Sequence, residues 1–210
     1  MGLSCLTDST AVIVMDASTA INVNATGYAA QILRALPNRI AITEVVMAEL
    51  AEDRRSGRRD SELIAELQIV GLIEVAPLSE SQERHFESLV IGRGVDTLDD
   101  GEAATIAYAA ETGATALIDE RKAKRICDER YPMMRVGCTV DLLAHASVKM
   151  SLGVTGLADA VFAALLQARM RVLPHYIDWV IELIGQERAR QCLSLPRTAR
   201  TGNRLIGDAR

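Results

Sequence analysis

The stretch AVIVMDAST, residues 11–19, decides the predicted fold, because five small or apolar residues run directly into Asp16. A short apolar run rich in valine and isoleucine is typical of a strand that is buried on both faces of a sheet. Asp16 would then stand at the carboxyl end of this strand. In open α/β sheets, that end is where ligands bind.

The same arrangement occurs again later in the chain, where TALI, residues 115–118, leads into Asp119. The carboxyl ends of parallel strands meet at one edge of a sheet. Two buried parallel strands that both end in aspartate would therefore bring Asp16 and Asp119 into one crevice.

Strands and helices alternate along most of the sequence. Apolar runs predict strands at residues 11–15, 39–42, 72–76, 115–118 and 135–137. Helical spacing predicts helices at residues 17–36, 44–52, 61–70, 79–91, 100–111, 121–130 and 139–151. This alternation favours an α/β fold, a parallel sheet with helices on both faces.

Beyond Gly153 the pattern predicts only helices, at residues 156–171 and 175–190. We therefore predict an α/β domain over residues 1–152, a C-terminal helical extension over residues 153–190, and a flexible arginine-rich tail over residues 191–210.

The composition is that of a globular protein and disfavours modules that bind single strands by stacking bases on aromatic side chains. The 210 residues are 49% hydrophobic and 24% charged, as in soluble globular proteins. The formal net charge of −5 gives no overall basic field that would attract nucleic acid. Aromatic residues make up 3% of the chain, which is too few for a protein that stacks bases on aromatic side chains. If the protein binds nucleic acid, we therefore expect it to do so through phosphates and metal.

The cellular location is predicted from the cysteine spacing and from the lack of a predicted signal segment or membrane span. The four cysteines form no C-x-x-C pair, which favours a reducing compartment over a disulfide or zinc framework. The sequence opens with no basic segment followed by an apolar run, and no apolar run reaches the roughly 18 residues of a membrane span. We expect a cytoplasmic protein with no membrane partner.

Two further acids stand in apolar or small-residue surroundings. Glu49 lies in VVMAEL, a helical stretch in which a charge is costly unless it is paired or coordinated. Glu102 lies in LDDGEAATIAYAA, one turn into a predicted helix. With the strand-end aspartates they make four candidate site residues.

Carboxylates that gather in one place repel each other and would take up protons unless a divalent cation neutralises them. Mg²⁺ and Mn²⁺ prefer oxygen ligands, and typically bind a few carboxylates together with water and substrate phosphates. The hydrolysis of a phosphodiester is the chemistry that follows most directly.

The four acidic motifs, in their order along the chain, resemble a known family. VIVMDAS, EVVMAEL, LDDGEAATIA and LIDE are similar to the motifs of PIN-domain nucleases, in particular the VapC-toxin-like branch with Gly-Glu in its third motif. The resemblance covers roughly residues 11–150.

The resemblance implies a PIN-like parallel sheet and a metal-dependent endoribonuclease, often the toxin of a toxin–antitoxin pair. It places the catalytic and metal-binding acids at Asp16, Glu49, Glu102 and Asp119, with Mg²⁺ or Mn²⁺ as the cofactor. It implies RNA as the substrate and leaves open an antitoxin protein and a second copy of the chain as partners.

Each acid also has a simpler interpretation. The strand-end aspartates could cap the helices that follow them, as aspartate often does. Glu49 could pair with Arg54 or Arg55, in which case Glu44 is the substitute.

Glu102 has an alternative role as well. It lies three residues after Asp99, which is the spacing of a capping box, and Asp100 is then the substitute ligand. Glu120 could contribute through water. The cluster Arg121, Lys122, Lys124 and Arg125 could steer phosphates, or could simply be a solvated helix face.

Two other functions are compatible with these residues. VIVMDAST also resembles the first motif of haloacid-dehalogenase-like phosphatases, but position 18 is serine where a second acid is required. A non-catalytic module that keeps the fold and binds a partner protein through its helical extension is the other alternative.

Overall fold

The computed structural model describes residues 6–53, 59–92, 94 and 97–201, and in it five parallel strands form one sheet. The strands are β1 (Ile13–Met15), β2 (Ile40–Thr43), β3 (Glu74–Ala76), β4 (Thr115–Leu117) and β5 (Val136–Gly137). Their order across the sheet is β3-β2-β1-β4-β5, so β1 lies at the centre and β4 is its direct neighbour. Met15 is paired with Leu117, which aligns the carboxyl ends of these two strands.

Helices cover both faces of the sheet. Those of the first half are α1 (Ala17–Ala25), α2 (Ala29–Ala35), α3 (Glu44–Asp53), α4 (Asp60–Ile69), α5 (Glu80–Val90) and α6 (Asp100–Thr112). Those of the second half are α7 (Arg121–Arg130), α8 (Thr139–Leu143), α9 (Ala146–Gln167), α10 (Ile177–Ile184), α11 (Gln186–Gln191) and α12 (Arg197–Thr201), with a 3₁₀ turn at Pro174–Tyr176. The predicted parallel sheet, its flanking helices and the helical C-terminal part are confirmed.

Three predicted helices are interrupted in the structure. The helix predicted over residues 17–36 divides at Gly27, whose φ of 74° is left-handed and reverses the chain between α1 and α2. The helix predicted over residues 139–151 divides at His145, whose Nδ1 accepts a hydrogen bond from the Ser147 N–H and so starts α9. The helix predicted over residues 175–190 divides at Gly185, which has a φ of 82°.

The two faces of the sheet each have their own hydrophobic core. Ile13 and Met15 of β1 point to one side, where helices α1, α2, α4 and α9 bury them. Val14 points to the other side, into a smaller core built with α5, α6 and α7. Because successive residues of β1 are buried on opposite faces, the uniformly apolar sequence of this strand is explained.

The C-terminal helices join the larger of these cores. Val161, Val180 and Ile184 are buried in the same cluster as the strand residues of the sheet. Cys192 and Leu195 are buried there too, and residues 202–210 lie outside the described chain. The predicted division into domain, extension and tail stays a prediction, but the described helices up to residue 195 share one core with the sheet.

One helix in the described part of the chain, α9, is long and apolar enough to span a membrane by length and composition alone. Gly153 interrupts it with a φ of 66°. Beyond that break, one side of α9 carries Leu157, Val161 and Leu165, each at most 1% exposed within the protein. This is the burial of a helix that packs on its own core.

Candidate active site

Asp16 and Asp119 lie side by side at the carboxyl edge of the sheet. Asp16 directly follows β1, and its backbone N–H donates to the carbonyl oxygen of Leu117 at 3.2 Å. Asp119 stands two residues beyond Leu117, the last residue of β4. The side chains are only 2% and 4% exposed, so two carboxyl groups are buried next to each other, as the motif analysis predicts.

Helix α1 holds the Asp16 carboxylate. The Thr19 N–H donates to Oδ1 at 2.7 Å, and the Ser18 hydroxyl donates to Oδ2 at 2.8 Å. Asp16 is therefore the N-cap of α1, as in the simpler interpretation. A carboxylate has about four acceptor sites, so these two bonds leave it able to accept more.

The Asp119 carboxylate is held by two residues that sequence analysis missed. The backbone N–H of Thr139 donates to Oδ1 at 2.8 Å, and the Asn22 side-chain amide donates to Oδ2 at 2.7 Å. The Thr139 hydroxyl also donates to Oδ2. Asp119 does not cap helix α7, whose N-cap residue is Glu120, so its carboxylate has no local structural role of that kind.

All four predicted site residues line one pocket of about 310 Å³. We call it the acidic pocket and define it by its acids: Asp16, Glu49, Asp99, Glu102, Asp119 and Glu120. Its other walls are Ala17, Ser18, Ile21 and Asn22 of α1 and the segment Ala168, Arg169, Met170 and Arg171 after α9. The substitutes, Glu44 and Asp100, are exposed and are not part of its lining.

Glu49 reaches the acidic pocket from α3, although it is exposed rather than buried. Its neighbours Val46 and Leu50 are buried, so the apolar sequence around Glu49 packs into the core without burying the charge of Glu49 itself. Its carboxylate lies against helix α6, where a Cβ built on Gly101 would stand 2.1 Å from Oε2. The predicted alternative partners, Arg54 and Arg55, lie outside the described residues.

Glu102 forms half of the predicted capping box. Its carboxylate accepts a hydrogen bond from the backbone N–H of Asp99, whereas the Asp99 side chain makes no capping bond to α6. Glu102 is thereby pinned at the first turn of α6 and still lines the acidic pocket. The two interpretations of this residue are compatible.

Burial and mutual repulsion shift the acids toward their protonated forms. Burial, and next the negative charge of Asp119, raise the pKa of Asp16 to about 7. Burial, and next the charge of Asp16, likewise raise the pKa of Glu102 to about 7. Burial also raises the pKa of Asp119, although the hydrogen bonds from Thr139 and Asn22 oppose the shift.

Two lysines of the basic cluster act on these acids at a distance. Lys122 lowers the pKa of Glu102, and Lys124 lowers the pKa of Asp119, each as a smaller effect than burial. Neither lysine lines the acidic pocket. Phosphate steering by the cluster stays a prediction, but its positive charge does reach the site.

The donor set of the acidic pocket fits a hard divalent cation. Its acids offer oxygen atoms, and a cation bound among them would relieve the repulsion that, after burial, raises the pKa values of Asp16 and Glu102. Across the described residues, no three carboxylate, thiol or imidazole groups form a ready-made metal cage. Mg²⁺ does not need one, because it usually keeps several waters and takes one or two protein carboxylates.

The raised pKa values predict how stability depends on pH in buffer without divalent ions. The ordinary pKa values of Asp16 and Glu102 are 3.8 and 4.5, and both are raised to about 7 in the folded protein. Between these values the folded protein retains protons that the unfolded chain has lost, so stability falls as pH rises. We expect the melting temperature to be several degrees lower at about pH 8 than at about pH 5.5, measured by calorimetry.

Asp8 provides the control for this measurement. Hydrogen bonds from Thr10, and next Arg135, lower its pKa to about 2, so its contribution to stability is lost only below about pH 4. An Asp8→Asn variant should keep the same decline between the two pH values. A melting temperature that stays level or rises across this range would contradict the buried, uncompensated acids.

The C-terminal part of the chain closes one side of the site. The segment Ala168–Arg171 lines the acidic pocket, and Arg171 forms an ion pair with Glu120. Nearby, the Tyr176 hydroxyl donates to the buried carboxylate of Asp141, two residues after Thr139. Sequence analysis missed this wall, because no local pattern shows where a helical extension will pack.

Comparison with known proteins agrees with this geometry. The family model DUF3368, described as a PIN domain, matches residues 12–186, which include all four predicted site residues and the segment Ala168–Arg171. No curated protein and no solved structure matches the chain significantly.

Proposed function

Because the chain belongs to the PIN-domain family, we propose that it is a divalent-metal-dependent endoribonuclease that cleaves RNA phosphodiester bonds in the acidic pocket. PIN domains are generally nucleases, and they typically use divalent metals. The observation that supports the proposal most strongly is the pair of buried carboxylates, Asp16 and Asp119, at neighbouring strand ends. Within the described chain, neutral donors hold both of them and no basic side chain is paired with either.

The chain's own residues would orient the ligands of the ion. Asp16, Glu49, Glu102 and Asp119 would hold it directly or through water. Ser18 and Thr19 fix one carboxylate, while Asn22 and Thr139 fix the other, so the oxygens are positioned before a ligand arrives. When bound, the metal would polarise the phosphate, activate a water and stabilise the leaving oxygen.

The size of the acidic pocket suits this chemistry. A volume of about 310 Å³ equals that of roughly ten water molecules, enough for a hydrated ion and one phosphodiester group. The pocket lies at the carboxyl edge of a parallel sheet, where ligands of such sheets are bound. RNA as the substrate, and the role of toxin opposed by an antitoxin protein, are supported by the resemblance of the four motifs to VapC-like toxins.

The phosphatase alternative receives no support from the site. It requires an acid at position 18 to protonate the leaving group. Ser18 is a hydroxyl that donates to Asp16 Oδ2 instead. The family match points to the nuclease rather than the phosphatase.

Metal dependence is the direct test of the proposal. We expect a labelled RNA to be cleaved in MgCl₂ or MnCl₂, to remain intact in EDTA, and to be cleaved again when the ion is restored. Titration calorimetry with MnCl₂ provides a second readout, in which Asp16→Asn should lower the affinity for Mn²⁺.

A matched DNA oligonucleotide shows whether the 2′-hydroxyl group matters. Equal cleavage of RNA in EDTA and in MgCl₂ would exclude the metal mechanism. No cleavage and no ion binding, together with capture of a partner protein, would leave the non-catalytic binding module as the function.

A further inference from the structure

Arg169 lies on the wall of the acidic pocket that the C-terminal part of the chain supplies. It follows the end of helix α9, and its side chain is exposed. The acidic pocket brings it together with carboxylates from α3, α6 and the strand ends. A cation is therefore placed in the lining of a site that carries six acids.

The backbone at Arg169 is in a conformation that favours glycine. Its φ is 55°, and among the described residues it is the sole non-glycine residue with a positive φ. Helices often end in such a left-handed residue, and glycine is the usual choice because a Cβ is unfavourable there. Outliers of this kind are concentrated at functional sites, where the side chain has a role that offsets the strain.

The turn around Arg169 is anchored on its C-terminal side. Met170 is 1% exposed, and its N–H donates to the carbonyl oxygen of Ala164 at 3.2 Å. Since the following side chain is buried in the core, the backbone at Arg169 is held in place. Arg169 thus extends its side chain from a fixed backbone position in the lining of the acidic pocket.

The two arginines of this wall differ in their partners. Arg171 forms an ion pair with Glu120. In the described part of the chain, the side chain of Arg169 makes no hydrogen bond or ion pair. Arg169 is accordingly available to an anion from outside.

A nucleic acid that enters this site needs such a cation. Each phosphate carries a negative charge, and the acids that line the acidic pocket repel it. None of the described residues that line the acidic pocket is aromatic, so base stacking cannot supply the attraction.

We propose that Arg169 binds a backbone phosphate of the RNA next to the cleaved bond, so that the C-terminal part of the chain contributes to substrate binding. This inference rests on the proposed nuclease function. It implies binding that is tolerant of sequence and sensitive to salt, because phosphates carry no sequence information.

The variants separate the effect of the Arg169 side chain on RNA binding from the effect of its backbone conformation on stability. Arg169→Gly removes the guanidinium group and suits a φ of 55°, so it should not lower the melting temperature. Arg169→Gln removes the charge and keeps a shorter polar side chain. Arg84→Gln, on the exposed surface of α5, is the control for the loss of one positive charge, because Arg84 is not part of the acidic pocket.

Binding is measured with a fluorescent single-stranded RNA in MgCl₂, by anisotropy over a series of KCl concentrations. Each chain also carries Asp16→Asn, so that cleavage does not interfere. We expect both Arg169 variants to bind about tenfold more weakly at low salt, and the slope of log K against log[KCl] to fall by about 0.7. Arg84→Gln should change neither quantity.

The outcomes distinguish this inference from the function on which it rests. If the Asp16→Asn chain binds no RNA and the wild type cleaves none, the proposed function fails and the inference fails with it. If the Asp16→Asn chain binds RNA and the Arg169 variants bind it equally well with the same slope, the inference alone is overturned. Tighter binding by Arg169→Gly would also overturn it, since Arg169 would then compete with the substrate for the acids.

Discussion

Replacing Asp16 with asparagine is expected to reduce RNA cleavage by about 10²- to 10³-fold, equivalent to roughly 3–4 kcal/mol of transition-state stabilisation. The buried carboxylate of Asp16 lines the acidic pocket together with Asp119. A neutral amide oxygen is a weaker ligand for a divalent ion, and it does not offset the charge of that ion. Cleavage of a labelled RNA in MgCl₂ measures the effect.

The same substitution should not unfold the protein. The asparagine oxygen can still accept the Thr19 N–H, and its amide can donate to the Ser18 hydroxyl. In addition, the substitution removes a carboxyl group whose pKa is raised to about 7 by burial and by the charge of Asp119. Without divalent ions at about pH 8, the variant should therefore melt at a higher temperature than the wild type.

A loss of activity combined with a gain in stability would separate chemistry from folding. Asp8→Asn is the matched control, because Asp8 lies outside the acidic pocket and its pKa is lowered rather than raised. It should retain wild-type cleavage. Wild-type cleavage by Asp16→Asn would overturn the assignment of this residue.

Replacing Gly101 with alanine is the second change with a large expected effect, a loss of cleavage of about 10- to 100-fold. An added Cβ would stand 2.1 Å from Oε2 of Glu49 and 3.5 Å from Val46. The Glu49 carboxylate is the flexible end of an exposed side chain, so it can move away at little cost. In doing so it leaves the position it occupies in the lining of the acidic pocket.

Stability should remain unchanged or increase slightly. Alanine is favoured over glycine by about 1 kcal/mol in a helix interior, and Gly101, as the second residue of α6, gains less than that. The control is Gly156→Ala in helix α9, where the nearest atom is the Leu152 Cβ at 3.4 Å. Gly156 lies in the helix interior, so this variant should gain at least as much in melting temperature, without a loss of cleavage.

A double variant tests whether Gly101→Ala acts through Glu49. Glu49→Gln should lower cleavage, and Gly101→Ala should lower it little further in that background, since both changes act on the same carboxylate. If Gly101→Ala cleaves RNA at the wild-type rate, the observed position of Glu49 is not required for catalysis. Additive losses would show that Gly101 acts by another route.

The sheet and its two aspartates were predictable because the signal is local. A buried parallel strand must be apolar on both faces, so the polar residue that follows it is conspicuous at Asp16 and Asp119. The topology then places those two residues at the same edge, since β1 and β4 are neighbours. Local pattern and general topology were sufficient for this half of the site.

The helical acids were harder to predict, for different reasons. Glu49 was selected because a buried charge needs a partner, yet it is exposed and reaches the acidic pocket from the outside. Glu102 was selected in competition with a capping role, and the structure shows that it has one capping bond and lines the acidic pocket as well. The sequence could not distinguish the capping role of Glu102 from a site role, because Glu102 stands three residues after Asp99 in either case.

The residues that hold the two aspartates or complete the wall of the acidic pocket could be identified only from the folded chain. Thr139 follows strand β5, and a search for polar residues at every strand end would have found it. Asn22 lies one turn beyond Ser18 on α1, which is a weaker signal. Arg169 and Arg171 depend on how the last helices pack against the sheet, which is determined by long-range contacts and has no local pattern.

The contribution of the segment Ala168–Arg171 to the acidic pocket has a consequence for biosynthesis. A ribosome releases the chain from its N-terminus, so the four acids emerge well before Arg169 and Arg171 do. A nascent polypeptide thus carries the four acids while one wall of the acidic pocket is still missing. The acidic pocket as described above is therefore completed only after residue 171 has been synthesised and has folded onto the rest of the chain.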